Sequence, residues 1–494
     1  MYYLSTRDDS LRCSSAQAIV QGLSRDGGLF LPNEIPQLSM KEIQELAGLP
    51  YYERAARIMS LYLEDFTLDE LRQYAKKAYG TEKFDSEAPA PLTFCGEDTA
   101  VMELWHGPTC AFKDMALQML PYLLTASLKK TGEEKTVCIL VATSGDTGKA
   151  ALEGFRDVER TKILVFYPDG GVSDIQKLQM VTQEGGNVRV CAVKGNFDDA
   201  QSGVKAIFSD AAIRQSLAQK GSFLSSANSI NWGRVLPQIV YYVSAYCEML
   251  RSGTVSAGEK IHVCVPTGNF GNILAGWYAR EMGVPIAKLI CASNSNHILT
   301  DFISTGVYDR NRPFYQTASP SMDILISSNL ERLLYLLSGS CETVRGYMRS
   351  LSETGRYSVS QEMLSRIQSV FACGYCDDAR AGKTIRRVFE EKAYLLDTHT
   401  AVAYTVAEEY RQQSGDRTPM VVVSTASPFK FCQSVLESLG ETEFCGGTDI
   451  IRQLSQRTGR SVPAPLKALP GKAVRFEQSV QKQAMADVVA DFLS

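Results

Sequence analysis

From Lys135 onward, short runs of β-branched residues alternate with glycine-bearing turns and amphipathic helices. This alternation predicts an α/β fold, because helices that cross over between parallel strands cover both faces of the sheet. A chain of 494 residues is too long for a single hydrophobic core, so we expect more than one structural unit. The predicted strands are Val137–Ala142, Lys162–Tyr167, Val188–Val193, Ile261–Pro266, Lys288–Ala292 and Met420–Thr425.

The segments on either side of this pattern differ from it. Before residue 80 the spacing of apolar residues predicts helices at Ser15–Leu23, Met40–Ala47, Tyr51–Tyr62 and Leu68–Tyr79. A polar stretch from Gly80 to Pro91 ends that unit, and residues 311–391 again read as helical and more polar. We therefore predict a mainly helical N-terminal domain at 1–90, an α/β body at 91–440 and a C-terminal extension at 441–494 that packs on the body.

The charge balance restricts the class of partner. The chain has 51 Lys and Arg against 55 Asp and Glu, and both signs are interspersed along its length. A protein that binds nucleic acid or an anionic membrane shows a basic footprint, and this chain lacks one. No run approaches the roughly 18 apolar residues of a membrane span, and Met1 to Asp9 does not resemble a signal peptide. We expect a cytoplasmic protein with no nucleic-acid partner and no membrane partner.

Cysteine and histidine spacing gives no sign of a metal site. The 13 cysteines are scattered and odd in number, which favours reduced thiols. Cys373 and Cys376 form a C-x-x-C pair with no second pair and no nearby histidine, so we predict no zinc site. We interpret His262, His297 and His399 as structural.

Three predicted strands lead into glycine- or serine-bearing loops, at the sheet edge where α/β folds bind ligands. These loops are Thr143–Gly148, Pro266–Asn272 and Thr425–Pro428. Glycine allows the backbone to approach a ligand, and the first turn of the following helix favours phosphate or carboxylate. Ordinary strand-to-helix turns remain the alternative. Neither glycine loop matches a P-loop or a complete dinucleotide fingerprint, which disfavours NAD.

Lys113 lies among aromatic and apolar neighbours, from Trp105 through Phe112 to Met115. Desolvation of such a lysine lowers its pKa and makes it a Schiff-base former or a general base. The alternative is a lysine whose apolar stem is covered while the ammonium group reaches solvent.

The segment around Lys113 also carries a family resemblance. His106-Gly107-Pro108-Thr109 followed by Phe112-Lys113-Asp114 resembles the cofactor-lysine motif of threonine synthases, which use pyridoxal 5′-phosphate (PLP) on the fold type II scaffold. Other segments resemble that family in the same order, namely Tyr3–Arg7, Asp26–Pro32, Thr143–Gly148, Ser225–Trp232, Thr267–Asn272 and Ser424–Ala426. The resemblance implies a fold type II enzyme with two open parallel-sheet α/β lobes around the cofactor, beside the helical N-terminal domain.

The resemblance also implies roles for particular residues. Lys113 would hold PLP as a Schiff base, and Thr425 would hydrogen-bond its pyridine nitrogen. Asp146 would lie near the 3′-oxygen of PLP, where related enzymes usually carry Asn. The cofactor phosphate would lie in the backbone loop formed by Gly268, Asn269, Phe270, Gly271 and Asn272. The substrate carboxylate would contact Ser144, Gly145 and Thr147.

The substrate phosphate requires further donors, and a guanidinium group suits it by its fork geometry. We predict Arg234 for this role, with Ser229 and Asn231 as neutral donors; a surface salt bridge is the alternative for Arg234. His106 orients the Lys113 loop or is structural. The sequence departs from the family at Ser427 and Phe429, where His and Ala are more frequent.

The expected activity is that of the family. Threonine synthases convert O-phospho-L-homoserine and water to L-threonine and phosphate by PLP-dependent γ-elimination and β-hydration, the last step of threonine biosynthesis. One alternative is a phospho-lyase that releases 2-oxobutyrate. Another is a catalytically inactive PLP-binding or regulatory protein. Either a monomer or a homodimer is compatible with the sequence.

Overall fold

The computed structural model describes residues 1–96 and 98–493. The strands are β1 Tyr3–Ser5, β2 Arg12–Cys13, β3 Phe30–Pro32, β4 Leu92–Phe94, β5 Thr99–Glu103, β6 Thr136–Ala142, β7 Thr161–Pro168, β8 Val188–Lys194, β9 Ser222–Ser225, β10 Ile261–Pro266, β11 Ile286–Ser293, β12 Val307–Asp309, β13 Arg356–Ser358, β14 Phe371–Tyr375, β15 Met420–Ser424 and β16 Ser479–Gln481.

The α-helices are α1 Ser15–Gln21, α2 Met40–Ala47, α3 Tyr51–Ser60, α4 Leu68–Ala78, α5 Asp114–Leu117, α6 Leu120–Lys130, α7 Asp146–Phe155, α8 Asp174–Val181, α9 Phe197–Ser209, α10 Ala211–Gln219, α11 Trp232–Arg251, α12 Gly271–Glu281, α13 Ile298–Thr305, α14 Leu330–Ser338, α15 Cys341–Thr354, α16 Gln361–Val370, α17 Asp378–Lys392, α18 Thr398–Ser414, α19 Cys432–Ser438, α20 Asp449–Thr458, α21 Ala464–Lys467 and α22 Met485–Phe492. Short 3₁₀ helices lie at Pro320–Met322, Pro428–Lys430 and Lys482–Ala484.

The larger lobe is built on a sheet with strand order β14-β11-β10-β15-β5-β4. Its strands pair in parallel, except that β4 runs antiparallel to β5 at the edge. Central strands such as Val421–Val423 are fully buried because helices cover both faces of the sheet. The loops after β5, β10 and β15 leave this sheet at neighbouring positions along the same edge, which brings three distant parts of the chain together.

The smaller lobe is built on a parallel sheet with strand order β16-β8-β7-β6-β9. Its outer strand, β16, comes from the C-terminal segment and pairs with β8 through Val480 and Val193. Met485 and Val489 of the last helix lie in the same apolar cluster as Val204 of α9. The end of the chain therefore completes the smaller lobe.

The N-terminal segment forms the four predicted helices and also an antiparallel sheet, β2-β1-β3, which the sequence pattern did not indicate. Tyr3 of β1 donates a hydrogen bond from its hydroxyl to the Tyr62 carbonyl at 3.0 Å. Both rings pack against Trp232, at centroid distances of 5.7 and 5.8 Å. Because Trp232 is the first residue of α11, the N-terminal segment supports the start of that helix.

All six predicted strands are present within one or two residues of their expected ends; the last one ends at Ser424. Strands β5, β9, β14 and β16 were missed, because each is short and carries polar residues or glycine within or beside it. The predicted helical stretch 311–391 also contains β13 and β14. Within the described residues, no helix is both long enough and apolar enough to cross a bilayer.

Candidate active site

The loop that carries Lys113 is hydrogen-bonded to the loop that follows β15. The Phe112 amide donates to the Thr425 carbonyl at 2.8 Å, and the Ser427 amide donates to the Cys110 carbonyl at 3.0 Å. These bonds place two predicted site segments, distant in sequence, side by side. Lys113 and Thr425 thus belong to one structural unit at the edge of the larger sheet.

Asp114 fixes the conformation of the same loop from the inside. Its carboxylate accepts hydrogen bonds from the Thr109 amide and the Thr109 hydroxyl, both at 2.8 Å. A Cβ at Gly107 would lie 2.6 Å from the Asp114 side chain, so only glycine fits there. Burial raises the pKa of Asp114 to about 6, against the opposing effect of the Thr109 bonds. Lys113 is therefore carried by a loop whose conformation is fixed by hydrogen bonds.

The Lys113 amine lies in an environment that favours its neutral form. Its Nζ atom is 4.3 Å from the centroid of the Phe112 ring. Burial lowers the pKa of Lys113 to about 8; Asp146 opposes this shift, while the cations Arg234 and Lys430 add to it. A lysine with such a pKa serves as a nucleophile and as a proton carrier near neutral pH. Lys113 is half-buried, and its pKa shift favours the prediction of a desolvated lysine over the surface alternative.

The loop at 143–148, which follows β6, is held by its first residue. The Thr143 hydroxyl accepts hydrogen bonds from the amides of Gly145 and Gly148, both at 2.9 Å. Gly145 has φ +130°, and a Cβ there would lie 2.5 Å from the Gln176 side chain. Glycine is thus required twice over, by conformation and by space. The loop delivers Asp146 to the first position of α7.

Asp146 forms an ion pair that joins the two lobes. Its Oδ1 atom lies 2.7 Å from the Nζ of Lys430, which follows β15, and accepts a hydrogen bond from Gln176 Nε2 at 2.8 Å. Lys430 also donates to the Thr109 carbonyl at 2.9 Å. Burial alone would raise the pKa of Asp146, but the Lys430 and Lys113 ammonium groups hold it at about 2. Asp146 is therefore a carboxylate at neutral pH.

The loop at 267–272, which follows β10, has the backbone form of an anion-binding turn. Phe270 adopts the left-handed region at φ 62°, and α12 begins at Gly271. A Cβ at Gly268 would lie 2.6 Å from the Ser321 carbonyl oxygen. The Asn269 carbonyl accepts hydrogen bonds from the Asn329 amide and side chain at 3.1 and 3.0 Å. The amides of the first turn of α12 have no helical carbonyl to bond, so they favour an anion.

Asn272, in the first turn of α12, uses only one of its two polar side-chain atoms in hydrogen bonds to the described residues. Its Oδ1 atom accepts hydrogen bonds from the hydroxyls of Tyr241 and Tyr242, both at 2.6 Å. Its Nδ2 atom is buried and has no hydrogen-bond partner among residues 1–96 and 98–493. A buried amide donor without a partner is costly, which favours a ligand acceptor at this position.

Arg234 is buried in the first turn of α11, with 3% of its surface exposed. This burial excludes the surface alternative for this residue. One guanidinium nitrogen donates to the Ala227 carbonyl, while Nε has no hydrogen-bond partner in the described part of the chain. Burial lowers the pKa of Arg234 to about 10, and its charge lowers that of Lys113, so the two cations are close. A buried guanidinium with spare donors favours an anionic ligand.

The two neutral donors predicted beside Arg234 differ. A Cβ at Gly271 would lie 3.5 Å from Ser229 Cβ, so Ser229 borders the start of α12. Asn231 caps α11 by accepting from the Gly233 amide at 2.9 Å, and it donates to the carbonyls of Ile19 and Ser226 at 3.0 and 3.2 Å. Both of its amide hydrogens are engaged, which favours a capping role over the predicted contact with substrate.

His106 lies outside the group formed by Lys113, Asp146 and Arg234. Its ring nitrogens face Asp85 Oδ1 at 2.6 Å and Glu103 Oε2 at 2.8 Å, and the ring stacks on Trp105. Burial would lower its pKa, but the two carboxylates raise it to about 9. His106 is thus a cation at neutral pH that ties the start of the Lys113 loop to the end of β5.

Comparison with protein families covers nearly the whole chain. Residues 2–79 match the model of the threonine synthase N terminus, residues 87–426 the model of pyridoxal-phosphate dependent enzymes, and residues 400–490 the model of the threonine synthase C-terminal region. Threonine synthase from Pseudomonas aeruginosa is 39% identical over 437 residues, which are 88% of this chain and 90% of that protein. The chain belongs to the threonine synthase family.

A second group of relatives is longer. Human threonine synthase-like 1 is 40% identical over 435 residues, which are 86% of this chain and 58% of that protein. The chain therefore spans less than two thirds of the length of this relative. Among solved structures, PLP-bound threonine synthase from Brucella melitensis has a TM-score of 0.87 at 36% identity, and the yeast enzyme has 0.88 at 33%; each alignment covers 100% of this chain and 98% of the other. These neighbours confirm the fold type II prediction.

The residues of this threonine synthase family member fit PLP on four counts. Lys113 offers a low-pKa amine for the aldehyde group. The start of α12 offers unbonded amides, and Asn272 offers an unpartnered donor, for a phosphate group. Thr425 is 6% exposed and lies directly beside the Lys113 loop. This donor set suits an aldehyde that also carries a phosphate.

Sequence reasoning missed Lys430 as a member of the site. The residue is buried, and in the sequence it stands between Phe429 and Phe431. The criterion that selected Lys113, a lysine among aromatic neighbours, would also have selected Lys430. Its partner Asp146 could not be inferred, because the contact joins opposite lobes.

Proposed function

We propose that this chain is a threonine synthase that converts O-phospho-L-homoserine and water to L-threonine and phosphate. Membership of the family and agreement with two threonine synthase structures over the whole chain support this activity. The observation that carries the substrate assignment is Arg234, a buried guanidinium with spare donors beside Lys113. A phosphorylated amino acid supplies the anion that such a group requires.

The substrate carries two anionic groups, and the site has two suitable regions. Arg234 and Ser229 would bind the phosphate, because a guanidinium group makes paired hydrogen bonds to phosphate oxygens. Ser144, Gly145 and Thr147, at the start of α7, would bind the carboxylate through amides and hydroxyls. Asn269, Phe270 and their glycine neighbours would hold the cofactor phosphate. These assignments give each anion its own donors.

PLP, when bound, withdraws electrons from the substrate carbons and so allows their protons to be removed. Lys113 Nζ is the group that moves these protons. It would first take the proton from Cα and later a proton from Cβ, after which the phosphate leaves from Cγ. A water molecule then supplies the hydroxyl at Cβ, and Lys113 returns protons to carbon. A pKa of about 8 suits a group that both takes and gives protons.

The test is product analysis with O-phospho-L-homoserine. Threonine and phosphate formed in equal amounts, with loss of both in Lys113→Ala, would support the synthase. Phosphate with 2-oxobutyrate and no threonine would replace it by the phospho-lyase. A protein that binds PLP and releases no phosphate would be the inactive PLP-binding protein.

We also propose a cytoplasmic protein that acts as a monomer or homodimer and binds no nucleic acid. The net charge of −4 and the interspersed charges support the last point. Salt-dependent retention on a nucleic acid matrix would contradict it. Sedimentation of the purified chain would distinguish the monomer from the homodimer.

A further inference from the structure

Lys430 is unusual among the charged residues of the site because its side chain touches no solvent and yet is paired with a residue of the other lobe. Its side chain is fully buried, as is nearly all of that of Asp146, at 0% and 3% exposed. Replacing a buried ion pair with apolar residues is commonly neutral or stabilising. Stability alone therefore does not account for a lysine here.

The contacts of Lys430 connect it to the loop that carries Lys113. Its Nζ bridges the Asp146 carboxylate and the Thr109 carbonyl, at 2.7 and 2.9 Å. Thr109 belongs to the loop whose conformation Asp114 fixes, four residues before Lys113. The ammonium group is thereby held against both the Asp146 loop and the Lys113 loop.

The charged groups around Lys113 come from three elements. Asp146 lies on the smaller lobe, Arg234 at the start of α11, and Lys430 after β15. The Lys430 charge also opposes the rise that burial causes in the pKa of Asp114 and of the Cys110 thiol. Among the described residues whose charges shift the pKa of Lys113, Asp146 is the carboxylate, so a group that pairs with Asp146 changes the negative charge that Lys113 experiences.

We infer that Lys430 is a positioning residue of the proposed threonine synthase site: its ammonium group pairs with the Asp146 carboxylate, offsets the negative charge that Asp146 presents to Lys113, and so controls the protonation of the Lys113 nitrogen. The assignment rests on the proposed function, since it needs Lys113 to be the cofactor lysine. Lys430 acts through Asp146 and need not contact the substrate.

Substitutions of Lys430 and of Asp146 should shift the pKa of Lys113 in opposite directions. Lys430→Met removes a cation near Lys113 and leaves the Asp146 carboxylate, so Lys113 should hold its proton to higher pH. Asp146→Asn removes the anion and leaves the cation, so Lys113 should lose its proton at lower pH. A pair that only ties the lobes together would lower the melting temperature in both variants and would move neither titration.

The experiment is a pH titration of the cofactor absorbance band in the PLP-loaded protein. The midpoint should rise by about one pH unit in Lys430→Met and fall by about as much in Asp146→Asn, as expected for one charge at close range. Lys430→Arg, which keeps the cation, should shift it by less than about 0.3. The kcat of Lys430→Met should fall about tenfold with KM within about twofold.

Lys149→Met is the matched control. Lys149 is also buried and paired, with Glu153 at 3.0 Å, but within the smaller lobe alone. Its variant should lower the melting temperature and leave the titration unchanged. If Lys430→Met does not fold, Lys430→Gln and Asp146→Asn provide the same comparison.

Shifts of the same sign in Lys430→Met and Asp146→Asn, or identical pH profiles in all variants, would overturn the assignment. Failure of the proposed function has a different signature, since the wild-type protein would then show no cofactor band or no threonine. A wild-type enzyme that is yellow and active, with unshifted variants, contradicts only the role of Lys430.

Discussion

The two buried charges beside Lys113, on Asp146 and on Arg234, differ in whether groups of the protein satisfy them. On one side, Asp146 is bonded to Lys430 and Gln176, so its carboxylate is satisfied inside the protein. On the other side, Arg234 makes one contact with a carbonyl and keeps an unpartnered Nε among the described residues. A satisfied charge sets the electrostatics of a site, whereas an unsatisfied one favours a ligand. We call these the closed side and the open side.

Substitution of Lys113 should have the largest effect on activity. Lys113→Ala removes the amine that binds PLP and moves protons, so kcat should fall by at least about 10³-fold. The absorbance band of the bound cofactor should vanish as well. Steady-state kinetics and a spectrum of the same sample measure both, and a variant that keeps either the band or the rate would refute the role of Lys113.

A substitution on the closed side should lower the free energy of unfolding, whereas one on the open side should not. Lys430→Met leaves the Asp146 carboxylate buried without its partner and should lower the free energy of unfolding by about 3 kcal/mol. Arg234→Met removes a buried cation that forms no ion pair with any described carboxylate, so the free energy of unfolding should stay the same or rise by about 1 kcal/mol. Urea unfolding of both variants, free of substrate, provides the measurement.

If the two substitutions destabilise the protein equally, the distinction between the sides fails. Lys113, Asp146 and Arg234 would then form a single structural network, and the spare donors of Arg234 would carry no functional meaning.

Substrate binding should depend on the open side. Arg234→Met should raise KM for O-phospho-L-homoserine by about 30- to 100-fold, the value of a charged hydrogen bond to phosphate. The cofactor band should remain, with its pH midpoint raised, because the Arg234 charge lowers the pKa of Lys113. Arg54→Met is the matched control, because Arg54 is equally buried but bonded to Glu248 and to the carbonyls of Leu46 and Ala47. That control should change stability and not KM.

The pH dependence of cofactor capture tests the shared lysine without substrate. Imine formation requires the neutral amine, and the pKa of Lys113 is about 8, so it is neutral above that pH. The rate at which cofactor-free protein captures PLP should rise about tenfold between pH 7 and 9 and then level off. A rate that is flat over this range would place the pKa of Lys113 elsewhere.

The sequence was informative where chemistry is local. Runs such as Val137–Ala142 predicted the parallel strands, and the motif around Lys113 predicted its loop. Strand β16 was missed, because three residues of an edge strand carry no periodic signal. The N-terminal sheet was missed for the same reason.

What the sequence could not supply is long-range pairing. Arg234 was interpreted as equally suited to a surface salt bridge, because the local sequence does not reveal that its side chain is buried. Lys430 was overlooked because its partner, Asp146, lies in the other lobe. The charges that distinguish the two sides are set by the fold and not by local pattern.

The most direct test of the proposed activity is the reaction in water enriched with oxygen-18. Elimination at Cγ breaks the carbon–oxygen bond, so phosphate keeps the substrate's oxygen, and the water that adds at Cβ becomes the threonine hydroxyl. The account predicts one heavy oxygen in the threonine hydroxyl and none in the phosphate on first release. Heavy oxygen in the phosphate, with homoserine as the other product, would show attack at phosphorus and would contradict it.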